Sequence, residues 1–336
     1  MSICYAGLPE GLAYTLEFTE KQRETGSGEV SREKHLVRAR NLLRPNRLPA
    51  ADLTIIGTSA AKARLLRGAG SLVMPIRVHF LLDFADGVDS ILGRASKGAR
   101  RDFRQTLRKH EWQFGIERDA AWFDFFYDRI YSATMRARYG ARARTEGRES
   151  AYECLFRQGI LFYLSMDGRR IAGHLCHWDA KRGVLTSRLL GVLDGTEELY
   201  AAGALKVMYF LLIEWCGRNG VGQLDFQGTE AFLSKGTFQM KRRFGTRVAL
   251  PPNHFGGKRL WLQVHRDTPA VRDFLVANPL LVEGADRALV ANYFFDRTRS
   301  ARIDYQGGAP GIARVHHIDL DDFLSGAQVS DAALCS

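Results

Sequence analysis

The stretch GILFYLSMDGRRIAGHLCHWDAKRGVLTSRLLGV, residues 159–192, decides the fold class. Gly159 to Met166 is an apolar run rich in strand-forming residues. Asp167-Gly168 follows, a dipeptide suited to the two-residue hairpin turn whose central positions both need positive φ. Arg170 to Trp178 predicts a second strand, Asp179 to Gly183 a second turn, and Val184 to Val192 a third strand. Downstream the period changes. Leu199 to Arg218 is apolar on most sides and stops at Asn219-Gly220, which predicts a long buried helix with a C-terminal cap. Val221 to Gln227 reads as a fourth strand, residues 236–243 as a short helix ending at Gly245, and Thr246 to Leu250 as a last strand. The order is three antiparallel strands, helix, strand, helix, strand. It predicts an α+β (mixed α/β) fold with a mainly antiparallel sheet flanked by helices.

Upstream, residues 72–84 (LVMPIRVHFLLDF) read as one strand interrupted by Pro75 at an edge or bulge. Residues 90–110 predict a single helix. Arg94, Lys97, Arg101, Arg104 and Arg108 recur at spacings of three and four, which puts them on one stripe. Leu92, Ala95, Ala99, Phe103 and Leu107 form the opposite, buried stripe. Asp102 is the one acid close to the five cations in sequence. Such a ridge is either a solvated face or a seat for an anion. Residues 119–138 predict a second amphipathic helix, with Trp122, Phe125, Phe126, Ile130 and Met135 inward. The stretches 21–34 and 136–148 read as polar or basic loops.

The 336-residue chain carries 48 Lys+Arg against 37 Asp+Glu, a net +11, and 38 of its basic residues are arginines. Guanidinium is a planar fork that suits phosphate and carboxylate, so a phosphate-rich partner fits the balance as well as a merely solvated surface does. With 46% hydrophobic and 25% charged residues the composition is globular, which excludes wholesale disorder and a disulfide-knot scaffold. The five cysteines (Cys4, Cys154, Cys176, Cys216 and Cys335) are scattered and form no C-x-x-C pair. Isolated thiols and an N-terminus without an apolar leader predict a cytoplasmic protein. The longest apolar stretch, Val207 to Ile213, is too short to span a bilayer.

Three words of the sequence resemble the Fem-type branch of the GNAT acyltransferases, a group that also includes BioF2-like proteins. They are the basic helix SKGARRDFRQTLRKHEWQFGIER (96–118), the hairpin LFYLSMDGRRIAGHL (161–175) and DFQGTEAFLSKGTFQMKRRFG (225–245). The resemblance covers about residues 80–250. It implies two tandem GNAT-like halves: residues 1–115 as a degenerate N-terminal half, 116–255 as the half carrying the motifs, and 256–336 as an extension of unknown role. It further implies an N-acyltransferase that moves an aminoacyl group from aminoacyl-tRNA to an amine or hydroxylamine on a small molecule, peptide or cell-wall precursor. Acyl-coenzyme A as donor and a non-catalytic RNA-binding role are the alternatives. GNAT enzymes that use coenzyme A carry a Gly-rich turn before the long helix, whose N–H groups hold the pyrophosphate. Here Gly203 and Ala204 fill the last two places of that turn and Tyr200 stands where Gln or Arg is expected.

An ester donor is already activated, so the reaction needs positioning, an oxyanion stabiliser and a base, with no metal and no cofactor beyond the donor. Gln223, Asp225 and Gln227 alternate along one strand and are expected to share a face. Asp225 is the candidate base or amine-binding carboxylate, or else part of a network tying strands together. The resemblance assigns Lys241 to substrate phosphate and to charge near the reacting carbonyl. Gln223, Gln227, Arg136, Arg188 and Gly203 are candidate substrate contacts. Arg94, Lys97, Arg101, Arg104, Arg108, Arg242 and Arg243 are candidate tRNA or phosphate contacts. His174 and His177 fall three apart on a strand, on opposite faces, and are expected to be structural rather than a metal pair.

Overall fold

The computed structural model describes residues 1–23, 31–140, 143 and 145–326. Cys335 and parts of the stretches 21–34 and 136–148 lie outside the described residues. The chain divides into two compact units. The first comprises Met1–His79, Gly228–Met240 and Val248–Ser336, the second Phe80–Gln227 and Lys241–Arg247.

In the first unit, β1 (Ile3–Gly7), β2 (Leu53–Ser59), β11 (Lys258–Val264) and β3 (Ser71–Pro75) form a sheet in the order β1-β2-β11-β3. β1 and β2 are parallel, and β11 runs antiparallel to both of its neighbours. Residues 256–336, read from the sequence as an extension, thus supply an inner strand of this sheet. They also supply a three-stranded sheet of β12 (Leu280–Glu283), β13 (Leu289–Phe295) and β14 (Ile312–Asp319). Glu283 fastens these segments together: its carboxylate takes Arg259 at 2.6 Å and Arg64 at 2.8 Å. Burial opposes the charge on Glu283, yet the two guanidiniums hold its pKa below the usual carboxylate value.

In the second unit, β4 (Val78–Asp83), β5 (Trp112–Glu117), β6 (Gly159–Met166), β7 (Arg169–Asp179), β8 (Val184–Val192), β9 (Gln223–Thr229) and β10 (Arg247–Ala249) build one sheet in the order β10-β4-β9-β8-β7-β6-β5. The three-strand meander is present as read, with β6, β7 and β8 antiparallel in sequence order, and β5, which the sequence did not reveal as a strand, pairs antiparallel with β6. At the β6–β7 turn, Asp167 and Gly168 have φ of 52° and 79°, the conformation that the dipeptide predicts. The helical segment from Ala120 to Tyr139 buries Phe123, Phe126, Ile130 and Tyr131 against Leu161, Leu175 and Leu189 of the sheet. The helix Ala204–Arg218 is buried on most sides, including Val207, Met208, Phe210, Leu212 and Ile213, as an all-round apolar pattern requires.

Three sequence expectations are corrected. Residues 72–84 are two strands in two different sheets, β3 ending at Pro75 and β4 starting at Val78. The ring of Pro75 removes a ladder donor, and the chain leaves the sheet there instead of bulging. The long helix breaks at Gly203, whose φ of 85° separates Glu197–Ala201 from Ala204–Arg218. A side chain at Gly203 would stand 3.1 Å from Thr106, so both backbone and space select glycine. The helix expected over 90–110 is two, Val88–Arg94 and Lys97–Leu107. Ala95 is extended (ψ 144°) and the Ser96 hydroxyl accepts from the Ala99 N–H. The hydroxyl at Ser96 offers a start signal that outweighs continuous periodicity. Arg94 therefore stands on a different helix from Lys97, Arg101, Arg104 and Arg108.

Ser96→Ala removes that cap. It should lower the stability of the protein by about 1 kcal/mol, read as a reduced melting temperature in circular dichroism. An unchanged melt would show that the break at Ala95 is held by packing alone.

Candidate functional site

Among the described residues of the second unit, the sheet opens between β8 and β9. β8 and β9 are parallel and pair over only Val184–Gln223, Leu185–Leu224 and Thr186–Asp225. The cause is on the other side of β8. There Leu175 faces Leu189 while Cys176 faces Ser187, which leaves Arg188 as an extra residue, a β-bulge. A bulge bends its strand and adds local twist, and Arg188 falls two residues past the last β8–β9 pair at Thr186. β9 also departs from regular strand geometry: Gln227 has φ of 57°, a conformation that strains a residue with a side chain.

Two pairs of polar side chains stand at the parting strands, Asp225 with Lys241 at β9 and Ser187 with His174 at β8 and β7. Asp225 is 3% exposed and its Oδ1 accepts from the Gln227 N–H at 2.7 Å, which fixes the kink. Lys241, at the end of the helix Gly236–Arg242, donates from Nζ to the carbonyl oxygens of Phe226 at 2.7 Å and Gln227 at 3.2 Å. Its ammonium also lies 5.7 Å from the Phe80 ring centre. On β8, Ser187 hydrogen-bonds through Oγ with His174 Nε2 at 2.7 Å. His174 is fully buried, its Nδ1 has no partner, and its ring meets Tyr209 edge-on. Burial first, and then the positive charge of Lys241, push the His174 pKa down to about 3. The imidazole is therefore neutral at physiological pH. Burial also pushes up the Tyr209 hydroxyl and the Cys176 and Cys216 thiols, so the thiols are protonated and inert as nucleophiles.

Sequence reasoning found Asp225 and Lys241 but missed Ser187, and it took His174 for a structural residue only. The missing signal is the bulge at Arg188. It shifts the register so that Ser187 and His174 meet, and no periodicity reveals it. Other expected site residues lie elsewhere. Gln223 donates to Asp83 Oδ1 at 2.6 Å, and Arg247 holds the other oxygen of Asp83 at 2.8 Å, so Gln223 ties β9 to β4. Gln227 leaves the shared face because its positive φ breaks the alternation. Arg188 pairs with Glu146 at 3.2 Å. Arg136 is exposed on the helix Ser132–Tyr139. Gly203 caps the helix Ala204–Arg218, where Lys206 also reaches Asp102 at 3.4 Å.

The cationic stripe is present on the helix Lys97–Leu107 and its cap residue Arg108. Ala99 and Phe103 are buried on its inner side, with Phe103 stacked on Phe210 at 4.3 Å. Lys97, Arg101, Arg104 and Arg108 are exposed, and among the described residues none of them has a carboxylate partner. Asp102, the acid next to them in sequence, is engaged by Lys206 instead. Arg94 pairs weakly with Asp86 at 3.5 Å. Arg243 is exposed and its carbonyl accepts from the Ser96 N–H at 2.8 Å, whereas Arg242 is half-buried. Among the described residues no group of three or more His, Cys, Asp or Glu is placed to hold a metal ion. No helix among them is long and apolar enough to cross a membrane.

Residues 93–242 match the family described as acetyltransferase (GNAT) domain. That span begins just before the cationic helix and ends at the lysine helix. No curated protein matches the chain in sequence. Among solved structures, the chain is similar to FemX, with 12% identity over 77% of this chain and 80% of that one and a TM-score of 0.43. It is also similar to L-PGS from Bacillus licheniformis, with 13% identity over 65% and 70% and a TM-score of 0.41. A third, a GCN5-related N-acetyltransferase from Kribbella flavida, shows 14% identity over 65% and 70% and a TM-score of 0.31. The parting strands β8 and β9 and the residue Lys241 thus lie inside the span that matches a GNAT acetyltransferase domain, and that match supports an acyltransferase.

Proposed function

We propose that this acyltransferase takes an aminoacyl group from aminoacyl-tRNA and delivers it to an amine or hydroxylamine acceptor, with no resident cofactor. The observation that carries the reading is the exposed row of Lys97, Arg101, Arg104 and Arg108 without a carboxylate partner. Four uncompensated cations on one helix repel one another at a cost to the fold. A polyanionic donor removes that cost and gains affinity by counterion release. Arg129, Arg148, Arg272 and Arg302 are engaged with carboxylates, whereas Arg38, Arg40, Arg44 and Arg47 are exposed without one among the described residues, so it is the regular spacing along one helix face that sets the row apart.

In this reading Lys241 holds the kinked end of β9 and places a positive charge where the carbonyl of the donor ester becomes an oxyanion. Asp225 holds the attacking amine or takes its proton. Ser187, kept in one orientation by neutral His174, lies on the face of the sheet that meets Tyr209 and supports the opening rather than the reacting groups. All four are nearly buried, which strengthens each electrostatic effect through the low local dielectric.

Acyl-coenzyme A as donor is the second reading, and the observation that favours it is the left-handed Gly203 at the start of a long helix. Against it, Thr106 fills the space next to that glycine and Asp102 engages Lys206 in the first helical turn. An anion at that turn would have to displace both. Incubation with total charged tRNA and a panel of amines should consume one aminoacyl ester. Consumption of acyl-coenzyme A, with all aminoacyl esters left intact, would transfer the domain to the second reading.

Arg101→Ala, Arg104→Ala and Arg108→Ala combined should weaken tRNA binding and reduce the slope of log K against log salt by roughly 2–3. A slope equal to that of the parent protein would remove the row from the interface. Lys241→Met should depress kcat more than it raises KM, and Asp225→Asn should cut turnover by about 100-fold or more in a folded protein. Unfolding of Asp225→Asn would mark that carboxylate as a strand tie. A fourth variant concerns pH. The folded pKa of His174 lies near 3 and the ordinary value is 6.5, so between these the unfolded chain binds a proton that the folded chain does not. Stability therefore falls as pH drops below about 6.5 and levels off near 3. His174→Gln should lose less melting temperature than the parent between about pH 7 and about pH 4, and equal losses would contradict a buried neutral imidazole.

A further inference from the structure

The first unit contains a cavity of about 370 Å³ that the acyl-transfer reading does not use. Its floor is one face of the β12–β13–β14 sheet, and the turn Gly68–Leu72 forms a wall. Val290, Ile318, Phe323 and Leu72 make the lining mainly apolar. No Asp, Glu, Lys or Arg among the described residues lines it. Two polar side chains stand in the floor: Asn292 and His316, directly opposite each other in the parallel β13–β14 register.

Asn292 is the unusual member. It is 4% exposed, and its Oδ1 is buried with no hydrogen-bond partner. A buried amide oxygen left unmet destabilises the fold, and a leucine of nearly the same shape would not incur that loss. The position nevertheless carries an amide at the bottom of an apolar cavity. With Oδ1 shut off, the amide nitrogen is the atom left to face the cavity. Rotation of the amide by half a turn exchanges donor for acceptor at that point.

We propose that this cavity is a binding site for a small, neutral, mostly aliphatic molecule bearing a carboxamide. The carboxamide accepts from the Asn292 N–H or donates to its oxygen, whichever way the amide is turned. The aliphatic body fills the space between Val290, Ile318 and Phe323. The absence of a lining charge discriminates against the corresponding carboxylate, which would be desolvated with no cation to meet it.

Isovaleramide is the probe and isovalerate its charged control, titrated into the full-length protein and followed by ligand-observed NMR. Saturable binding of isovaleramide is expected, at least tenfold tighter than that of isovalerate. Asn292→Leu should weaken isovaleramide at least tenfold and raise the melting temperature, since it removes the unmet oxygen. Leu72→Trp, at a half-buried wall position, should block binding without touching the amide, and it serves if Asn292→Leu does not fold. Absence of saturable isovaleramide binding, equal binding of isovalerate, or undiminished binding by the folded variants overturns the assignment. None of these readouts depends on acyl transfer, so the site stands or falls apart from the reading of the second unit.

Discussion

A single surplus residue, Arg188, governs the second unit. Because it stands outside the β7–β8 register, β8 turns away from β9 just beyond Thr186 and Asp225. Parallel strands that part expose main-chain groups which a continuous ladder would have paired, and buried main-chain groups need partners. Lys241 meets that need for Phe226 and Gln227, and Asp225 meets it for the Gln227 N–H. The residues proposed for chemistry are thus the same residues that the opening requires for stability. The DFQG and lysine-helix words lie far apart in sequence yet act together for this reason: one makes the kink and the other holds it.

The same opening sets the electrostatics. Burial first, and then the charge of the Lys241 ammonium, keep the His174 imidazole neutral. A neutral His174 can orient the Ser187 hydroxyl without adding a second positive charge. A protonated histidine there would repel Lys241 and loosen its hold on the two carbonyls. Within each unit many of the arginines are paired with carboxylates. Glu283 serves two arginines, and Arg272 serves Asp267, Asp296 and Asp321. The row from Lys97 to Arg108 is the contrast. It rests on a helix whose inner face is committed to Phe210 through Phe103, so its cations are held at fixed spacing and do not drift on a loop.

Much of the second unit was legible because its signals are local. Asp167-Gly168 fixes a turn, alternating apolar residues fix three strands, and Asn219-Gly220 fixes a helix end. The capped break at Ser96 was legible in principle, since a serine before a helical run is a start signal, but the continuous three-four spacing of the cations concealed it. Pro75 was read as a flaw in one strand and is the end of it. What stayed hidden depends on tertiary register. The bulge at Arg188 leaves no pattern in the strand's own residues. The meeting of His174 with Ser187 follows only from that bulge. The place of β11 between β2 and β3 needs a pairing across about two hundred residues, paid for by loop closure that no local propensity reports. The site was half legible for the same reason. Asp225 and Lys241 sit in recognisable words, whereas Gln223, read from strand alternation, Gly203, read from the turn before the long helix, and Arg188 are committed to Asp83, the packing beside Thr106 and Glu146.

The burial of the cluster constrains how such a site can work. Asp225, Lys241, Ser187 and His174 are each less than a tenth exposed, so water has little access to them, and a reacting ester there would be shielded from hydrolysis. That shielding has a counterpart in access: a donor must enter along the opened strands or wait for them to move. β8 and β9 pair over three residue pairs beside a strained Gln227, so little ladder holds them to one another. The opening that carries Asp225 and Lys241 is therefore also where an entering donor meets the least paired backbone between these two strands.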